Sequence, residues 1–230
     1  MWETPATNRE TKFHLAGINN QNFIMQDEAT GSWWQQVTGE AIFGSSKGQR
    51  LKPVAHDELS FSLWKQEHPN GRVLMPDDSK PWKKFSENWE EQTARYPVLP
   101  ELSPDTTLSP RTQIVGIKIG TTSKAYPMTT VQKQTPILDH IAGTPVLIVM
   151  AEDKKSVRAF ERTIDGQELE FFAKPASQAL RLLDASGSEW DFTGKSVSGP
   201  YTGRKLKQIF VLNDYWFDWK AYNPETVVYQ

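Results

Sequence analysis

Hydrophobic and polar residues alternate in several short segments of this chain. Apolar side chains stand at every second position in Phe13 to Leu15 and Phe23 to Met25, and again in Leu169 to Phe171 and Leu180 to Leu182. A period of two places successive side chains on opposite faces of an extended backbone. The pattern therefore predicts half-buried β-strands.

The pattern occurs twice along the chain. Residues 31–39 read GSWWQQVTG and residues 187–194 read GSEWDFTG, an offset of 156 (187 − 31) that becomes 155 (193 − 38) after a one-residue gap. Further identities keep the second offset: Gly44, Gly48, Leu51, Trp64, Lys65, Pro69 and Val73 match Gly199, Gly203, Leu206, Trp219, Lys220, Pro224 and Val228. So many identities in one register predict an internal duplication.

Each copy predicts a hairpin followed by a short helix. Asp27 and Gly31, like Asp184 and Gly187, bracket a turn where an aspartate can cap and a glycine can take a positive φ. Short loops bounded by glycine follow at residues 44–48 and 199–203. Aromatic residues then recur at i, i+3 before a proline, which predicts one short helix per copy, ended by that proline. These residues are Phe61 and Trp64 before His68-Pro69, and Trp216 and Trp219 before Asn223-Pro224.

A different segment joins the two copies. Trp82, Phe85 and Trp89 recur at helical spacing after Ser79, a suitable N-cap, so we expect an amphipathic connector helix docked by these aromatic residues. Residues 97–110 contain four prolines and predict an extended linker. The predicted organisation is a partial first repeat unit at 1–76, the connector at 77–110 and a complete second unit at 111–230, all in one compact globule.

The second unit has more predicted strands than the first. Apolar runs before its repeat predict strands at Ile114 to Ile119, Lys124 to Tyr126, Ile137 to Ile141, Val146 to Met150 and Val157 to Phe160. The same offset would place the first unit's counterparts before Met1, so we expect the first unit to lack its opening strands. The predicted fold class is α+β, mainly β, with two related units, one short helix in each, and the connector helix.

Composition excludes several kinds of protein. The 230 residues carry 26 Lys plus Arg against 28 Asp plus Glu, so the net charge of −2 argues against a nucleic-acid partner. The absence of cysteine excludes disulfides, thiolate metal sites and a cysteine nucleophile. No apolar stretch approaches the length of a membrane span, and the first residues do not resemble a signal peptide, so we expect no membrane insertion.

Several segments stand in the order found in one bacterial family. They are KAYP at 124–127, Asp139, GTPV at 143–146, AFER at 159–162, Asp165-Gly166, Gly187-Ser188-x-Trp190-Asp191, Thr193-Gly194 and the closing Trp219, Pro224, Thr226, Val228 and Tyr229. In these residues the chain resembles the family catalogued as domain of unknown function 3179, as a full unit over 114–229 and as a partial unit over 13–74. The resemblance implies an exported or lipid-anchored protein, periplasmic or secreted. Members usually carry Cys-x-x-Cys after the strand matching Val146 to Met150, whereas residues 151–156 here read AEDKKS.

The repeat also suggests candidate binding residues. Trp34 and Trp190 recur in both copies, which favours matching cores over a ligand-stacking rim. Trp33 is matched by Glu189, so we predict an exposed tryptophan that could stack on a ligand. We predict a hydrogen-bonding cleft between the copies from the polar residues beside the Thr-Gly turns and on the first strands. The candidates for that cleft are Gln36, Glu40, Asp191, His14 and Asn22.

No catalytic group or cofactor is predicted. Thr193-Gly194-Lys195-Ser196 resembles part of a phosphate loop, but Glu189 occupies the position of its first glycine. The four histidines lack metal-ligand spacing, and no serine lies in Gly-x-Ser-x-Gly. Adjacent acidic pairs are typical of a solvated surface.

Three functional hypotheses follow. The first is a non-enzymatic, extracytoplasmic module that binds a small polar molecule or a partner protein. The second is the scaffold of a redox or metal-dependent enzyme whose reactive segment lies upstream of Met1. The third is a purely structural interaction domain, which predicts no deep polar pocket.

Overall fold

The structure, a computed structural model, describes residues 1–3, 11–19, 21–54, 56–75, 87–99, 107–175 and 179–230. Its strands in the first half are β1 Trp2–Glu3, β2 Phe13–Asn19, β3 Asn22–Asp27, β4 Trp33–Gln35, β5 Ala41–Phe43 and β6 Lys52–Pro53. Those in the second half are β7 Gln113–Ile119, β8 Thr122–Pro127, β9 Ile137–Ile141, β10 Thr144–Met150, β11 Val157–Glu161, β12 Thr163–Ile164, β13 Gln167–Glu168, β14 Phe171–Ala173, β15 Arg181–Asp184, β16 Glu189–Asp191, β17 Ser196–Ser198, β18 Lys207–Ile209, β19 Val211–Tyr215 and β20 Val227–Val228. Its helices are α1 Phe61–Glu67, α2 Trp89–Arg95, α3 Met128–Gln134 and α4 Trp216–Tyr222.

Four sheets of four strands build most of the fold. The first meander sheet has the order β2-β3-β4-β5, and the second meander sheet has the order β14-β15-β16-β17. The central sheet has the order β18-β11-β10-β9, and the helix-covered sheet has the order β19-β7-β8-β20. The prediction of a mainly β, α+β fold is confirmed.

The central sheet is buried on both faces. Val146 and Ile148 of β10 face a core shared with the helix-covered sheet, while Leu147 and Val149 face a core shared with the second meander sheet. Because both faces are buried, β10 is an almost continuous apolar run instead of an alternating one. Trp190 of the second meander sheet is fully buried in the second of these cores.

The two meander sheets match in detail. The indole N–H of Trp34 donates to Asp27 Oδ2 at 2.7 Å, and that of Trp190 donates to Asp184 Oδ2 at 2.8 Å. A strand irregularity lies between Trp33 and Trp34 in one sheet and between Glu189 and Trp190 in the other. The glycines that end the predicted turns, at positions 31 and 187, have φ of 66° and 85°. Local structure therefore agrees with the repeat, while its origin by duplication stays a prediction.

Within the described ranges, hydrogen bonds join the first half to the second half around Arg158 and around α4. Arg158 of β11 bonds Glu67 of α1 through two hydrogen bonds of 2.7 Å and Asp57 through a third of 2.7 Å. At the other place the hydroxyl of Tyr222 on α4 donates to the Asn19 carbonyl at 3.2 Å. Leu59, which precedes α1, and Leu63 of α1 add apolar contacts to the core beneath the second meander sheet.

The helices differ from the expectation in two respects. Helix α3 was not predicted, because Val131 is its only buried residue and leaves no apolar period to recognise. The connector helix is observed as Trp89–Arg95, and Trp89 is 53% exposed. Ser79, Trp82 and Phe85 lie outside the described residues.

Candidate functional site

A polar cavity opens at the edge of the helix-covered sheet. Its volume is about 670 Å³, and it lies between α2, α3, the turn at residues 151–155 and the edge strand β19. The lining residues are Trp89, Glu90, Thr93, Gln113, Ile114, Met128, Gln132, Asp153, Lys154, Lys155, Asn213, Asp214 and Tyr215. This size is within the range of pockets that bind small molecules.

Two buried oxygen atoms in the cavity wall lack hydrogen-bond partners among the described residues. They are Thr93 Oγ1 on α2 and Asn213 Oδ1 on β19. Asn213 pairs with Val115 of β7, so its side chain lies on the sheet face that α3 covers. An unsatisfied buried polar group costs about 1–3 kcal/mol, so a bound molecule that bonds both oxygens would recover this cost.

A tight turn presents two lysines at the cavity rim. Asp153 accepts hydrogen bonds from the backbone N–H groups of Lys155 and Ser156, at 2.9 and 2.8 Å, and from Ser156 Oγ. Burial opposes ionisation of Asp153, but these hydrogen bonds outweigh it and lower its pKa to about 2. Gln132 of α3 donates to the Lys154 carbonyl at 3.1 Å. Hydrogen bonds with the side chains of Asp153 and Gln132 thus fix the conformation of the turn.

Asp214, which lines the cavity, forms a pair of carboxyl groups with Asp218 of α4. Burial, followed by the charge of Asp218, raises the pKa of Asp214 to about 8. Burial likewise raises the pKa of Asp218 to about 6, although hydrogen bonds from Asn22 and Asp214 lower it in part. Asn22 reaches Asp218 from the first meander sheet. At neutral pH Asp214 therefore keeps its proton and donates it in a hydrogen bond to Asp218.

The predicted residues of the first meander sheet lie elsewhere. Trp33 is 39% exposed and packs on Phe43 with ring centroids 5.2 Å apart. Glu40 pairs with Arg50 at 2.6 Å, and the Gln36 carbonyl accepts the indole N–H of Trp2 at 2.6 Å. None of these residues lines the polar cavity.

The other three predicted residues do not form one cleft either. His14 contacts Glu28 at 2.5 Å on an exposed part of β2. Asp191 accepts from the backbone and hydroxyl of Thr193 and shapes its own turn. No hydrogen bond among the described residues joins Asp191 to Gln36 or Glu40. Asn22 is the predicted residue that reaches the carboxyl pair.

Sequence reasoning missed Thr93, Asn213 and both carboxyl groups. For the carboxyl groups a signal exists, because Asp214 and Asp218 align with Leu59 and Leu63 at the repeat offset of 155. The two leucines pack against the core beneath the second meander sheet. Two carboxylates in place of packed leucines indicate a local role other than apolar packing. Thr93 and Asn213 carry no comparable signal.

Within the described ranges, no group of three or more metal-binding side chains is arranged to hold a metal ion. The same residues contain no helix that is long and apolar enough to cross a membrane.

Comparisons with known proteins identify one family. A family model described as Protein of unknown function (DUF3179) matches residues 2–226, so a single match spans both halves. No curated protein matches the chain. No solved structure matches it. The extent of the family match shows that this chain belongs to the DUF3179 family.

Proposed function

We propose that this domain binds a small polar ligand in the cavity between α2 and β19. The observation that carries the proposal is that Thr93 Oγ1 and Asn213 Oδ1 are both buried and unpartnered, and both belong to residues of that cavity. An amide oxygen accepts hydrogen bonds only, so the ligand must offer a hydroxyl or amino donor to Asn213.

The remaining lining groups suit a polyhydroxylated molecule. Trp89, which is 53% exposed, offers an aromatic face on which a sugar ring can pack. Lys154 and Lys155 supply hydrogen-bond donors at the rim. Glu90 lies 3.9 Å from Lys155 and offsets part of the positive charge. We therefore favour a neutral sugar or a hydroxy acid.

This proposal keeps the binding hypothesis and moves its site. The proposed stacking residue is Trp89 instead of Trp33, and the proposed hydrogen-bonding amide is that of Asn213 instead of Gln36. A polar cavity of this size argues against a purely structural interaction domain, which predicts none. The enzyme-scaffold hypothesis gains no support from the lining residues.

Titration with a panel of monosaccharides, disaccharides and hydroxy acids tests the proposal. Calorimetry should detect at least one ligand, and Thr93→Val or Asn213→Leu should weaken its binding about tenfold, the value of one lost hydrogen bond. Thr129→Val on the exposed side of α3 is the matched control and should bind normally. Because the Thr93 hydroxyl is unpartnered in the free protein, Thr93→Val should not lower the free energy of unfolding.

Tryptophan fluorescence separates the two candidate positions. Ligand binding should change the emission of the wild type and of Trp33→Phe, but not that of Trp89→Phe. Binding that survives both Thr93→Val and Asn213→Leu, or a panel without any ligand, would overturn the proposal.

An extracytoplasmic location is part of the same proposal and is supported by the family resemblance alone. Fractionation of cells that express the native gene with a C-terminal tag tests it. Recovery only in the cytoplasmic fraction would contradict it.

A further inference from the structure

We propose that the outer face of α1 docks an antiparallel β-hairpin of a partner chain, which packs a glycine against Trp64 and adds a strand beside Arg72 and Val73. We call Phe61, Trp64, Arg72 and Val73 the α1 face. The proposal is independent of the polar cavity, because the α1 face lies on a different helix.

Helix α1 and the turn after it reproduce α4 and its turn. The residues that end the two helices, His68 and Asn223, have nearly equal backbone angles, −127° and 66° against −133° and 65°. The His68 N–H donates to the Trp64 carbonyl at 2.8 Å, and the Asn223 N–H donates to the Trp219 carbonyl at 2.9 Å. The two segments therefore present equivalent residues in equivalent directions.

The α4 face is covered by a β-hairpin. Trp216 and Trp219 are 2% and 4% exposed and pack in one core with Ile114 of β7 and Ala125 of β8. Strand β20 follows the turn and pairs in parallel with β8. Helix α4 and strand β20 thus both contact the hairpin formed by β7 and β8.

No strand among the described residues covers the equivalent α1 face. Phe61, which aligns with Trp216, is 62% exposed, and Trp64 stacks on it with ring centroids 5.7 Å apart. Val73, which aligns with Val228 of β20, is 50% exposed and belongs to no strand. A cavity of about 530 Å³ is lined by Phe61, Trp64 and Val73. The aligned residues of the second half, Trp216, Trp219 and Val228, pack in one core with the hairpin.

The opposite side of α1 is already occupied. Leu63 packs against the core beneath the second meander sheet, and Glu67 is bonded to Arg158. Helix α1 is therefore fixed in place, and its open face is a formed surface for a partner.

The second half also defines the chemistry of the partner. A Cβ atom at Gly116 would stand 2.4 Å from the Trp219 ring, so a glycine is required where the hairpin crosses the tryptophan. Arg72 takes the place of Val227, whose pairing partner on β8 is Lys124. Arg72 and a lysine of the partner at the position of Lys124 would repel each other. The partner should therefore carry an acidic residue at that position.

A synthetic peptide that copies residues 113–127 with Lys124→Glu is the probe. It should bind the full chain, and the indole N–H signal of Trp64 should shift in the NMR spectrum. We expect Trp64→Ala and Phe61→Ser each to weaken binding at least tenfold, and Trp33→Ala to leave it unchanged. Phe61→Ser keeps the test valid if Trp64→Ala fails to fold, because Phe61 is largely exposed.

Two peptide controls test the geometry. Replacement of the glycine that corresponds to Gly116 by valine should abolish binding, and restoration of lysine at position 124 should weaken it. Equal binding of the glycine and valine peptides, or no binding at about 1 mM peptide, would overturn the proposal. Self-association of the chain that disappears in Trp64→Ala would also overturn it, since the occupant would then be a second copy.

Discussion

Arg158 and Glu67 are 91 positions apart in sequence and share two hydrogen bonds of 2.7 Å. The Arg158 side chain is only 5% exposed, and its guanidinium also bonds Asp57 and lies 4.6 Å from the centre of the Phe192 ring. Burial opposes the charge of Arg158, but the hydrogen bonds that it donates to the carboxylates of Glu67 and Asp57 raise its pKa above the usual range. This guanidinium fixes α1 on the central sheet.

Replacement of Arg158 should therefore destabilise the protein strongly. Arg158→Met leaves the carboxylates of Glu67 and Asp57 partly buried without a cation, so we expect a loss of about 3 kcal/mol. The exposed pair of Arg50 and Glu40 supplies the control, and Arg50→Met should cost less than about 1 kcal/mol. Urea unfolding measures both values. Equal losses would show that Arg158 does not fix α1.

The buried aspartates of the meander turns should set the acid stability. Burial raises the pKa of Asp184, but hydrogen bonds from Ser186, Trp190 and Ser188 outweigh it and lower the pKa below 3.8. A lowered pKa contributes stability that is present above the unfolded value and is lost as the pH falls through the folded value. Asp184→Ala should cost about 2–3 kcal/mol at pH 7, because several buried donors lose their acceptor.

Acid unfolding of the Asp184→Ala variant completes this test. Its stability should change less than that of the wild type when the pH falls below about 4. Asp165→Ala, at an exposed side chain, should follow the wild type. A pH dependence that is unchanged in Asp184→Ala would contradict the assignment.

The carboxyl pair should have the opposite effect. The pKa values of Asp214 and Asp218 are raised to about 8 and about 6 in the folded chain, against an ordinary value of 3.8. Folded molecules then bind more protons than unfolded ones between about pH 4 and pH 8, so this contribution to stability falls as the pH rises through that range. Asp214→Asn cannot ionise and should melt at a higher temperature than the wild type at pH 9.

Melting temperatures at pH 5 and pH 9 check this prediction. The difference between the two pH values should shrink in Asp214→Asn, while Asp165→Asn should keep the wild-type difference. A wild type that becomes more stable than Asp214→Asn on going from pH 6 to pH 9 would contradict the raised pKa of Asp214.

Packing at Gly116 should tolerate no side chain. Gly116→Ala places a methyl group 2.4 Å from the Trp219 ring, so we expect a loss of about 1–3 kcal/mol from overpacking. Gly17→Ala in β2 is the control, because a Cβ there meets no atom within 4 Å. Calorimetric unfolding should show a lower melting temperature for Gly116→Ala only. An unchanged melting temperature would mean that Trp219 moves freely.

Much of the strand arrangement follows from sequence periodicity. In the meander sheets one face is buried and the other is not, so the buried Phe171 and Leu182 are each followed by a more exposed residue, Phe172 and Leu183. The strands of the central sheet are recognisable as apolar runs because both faces are buried. Helix α3 lacks either pattern, since it contacts the core mainly through Val131.

The candidate site is harder to predict because its residues come from distant segments. Thr93 and Asn213 are ordinary polar residues in sequence, and only the fold makes their oxygens buried and unpartnered. Asn22 reaches Asp218 across 196 positions, a contact that no local pattern encodes. By contrast, alignment at the repeat offset shows that Asp214 and Asp218 stand where the first copy has Leu59 and Leu63.

Strand β10 touches two separate cores, one through Val146 and Ile148 and the other through Leu147 and Val149. Loosening either core would remove contacts from the other, so both should melt in a single cooperative step. The backbone amides of β10 should then exchange hydrogen for deuterium more slowly than those of β2, whose side chains are largely exposed. Hydrogen exchange of the β10 amides should therefore report the global unfolding of the molecule.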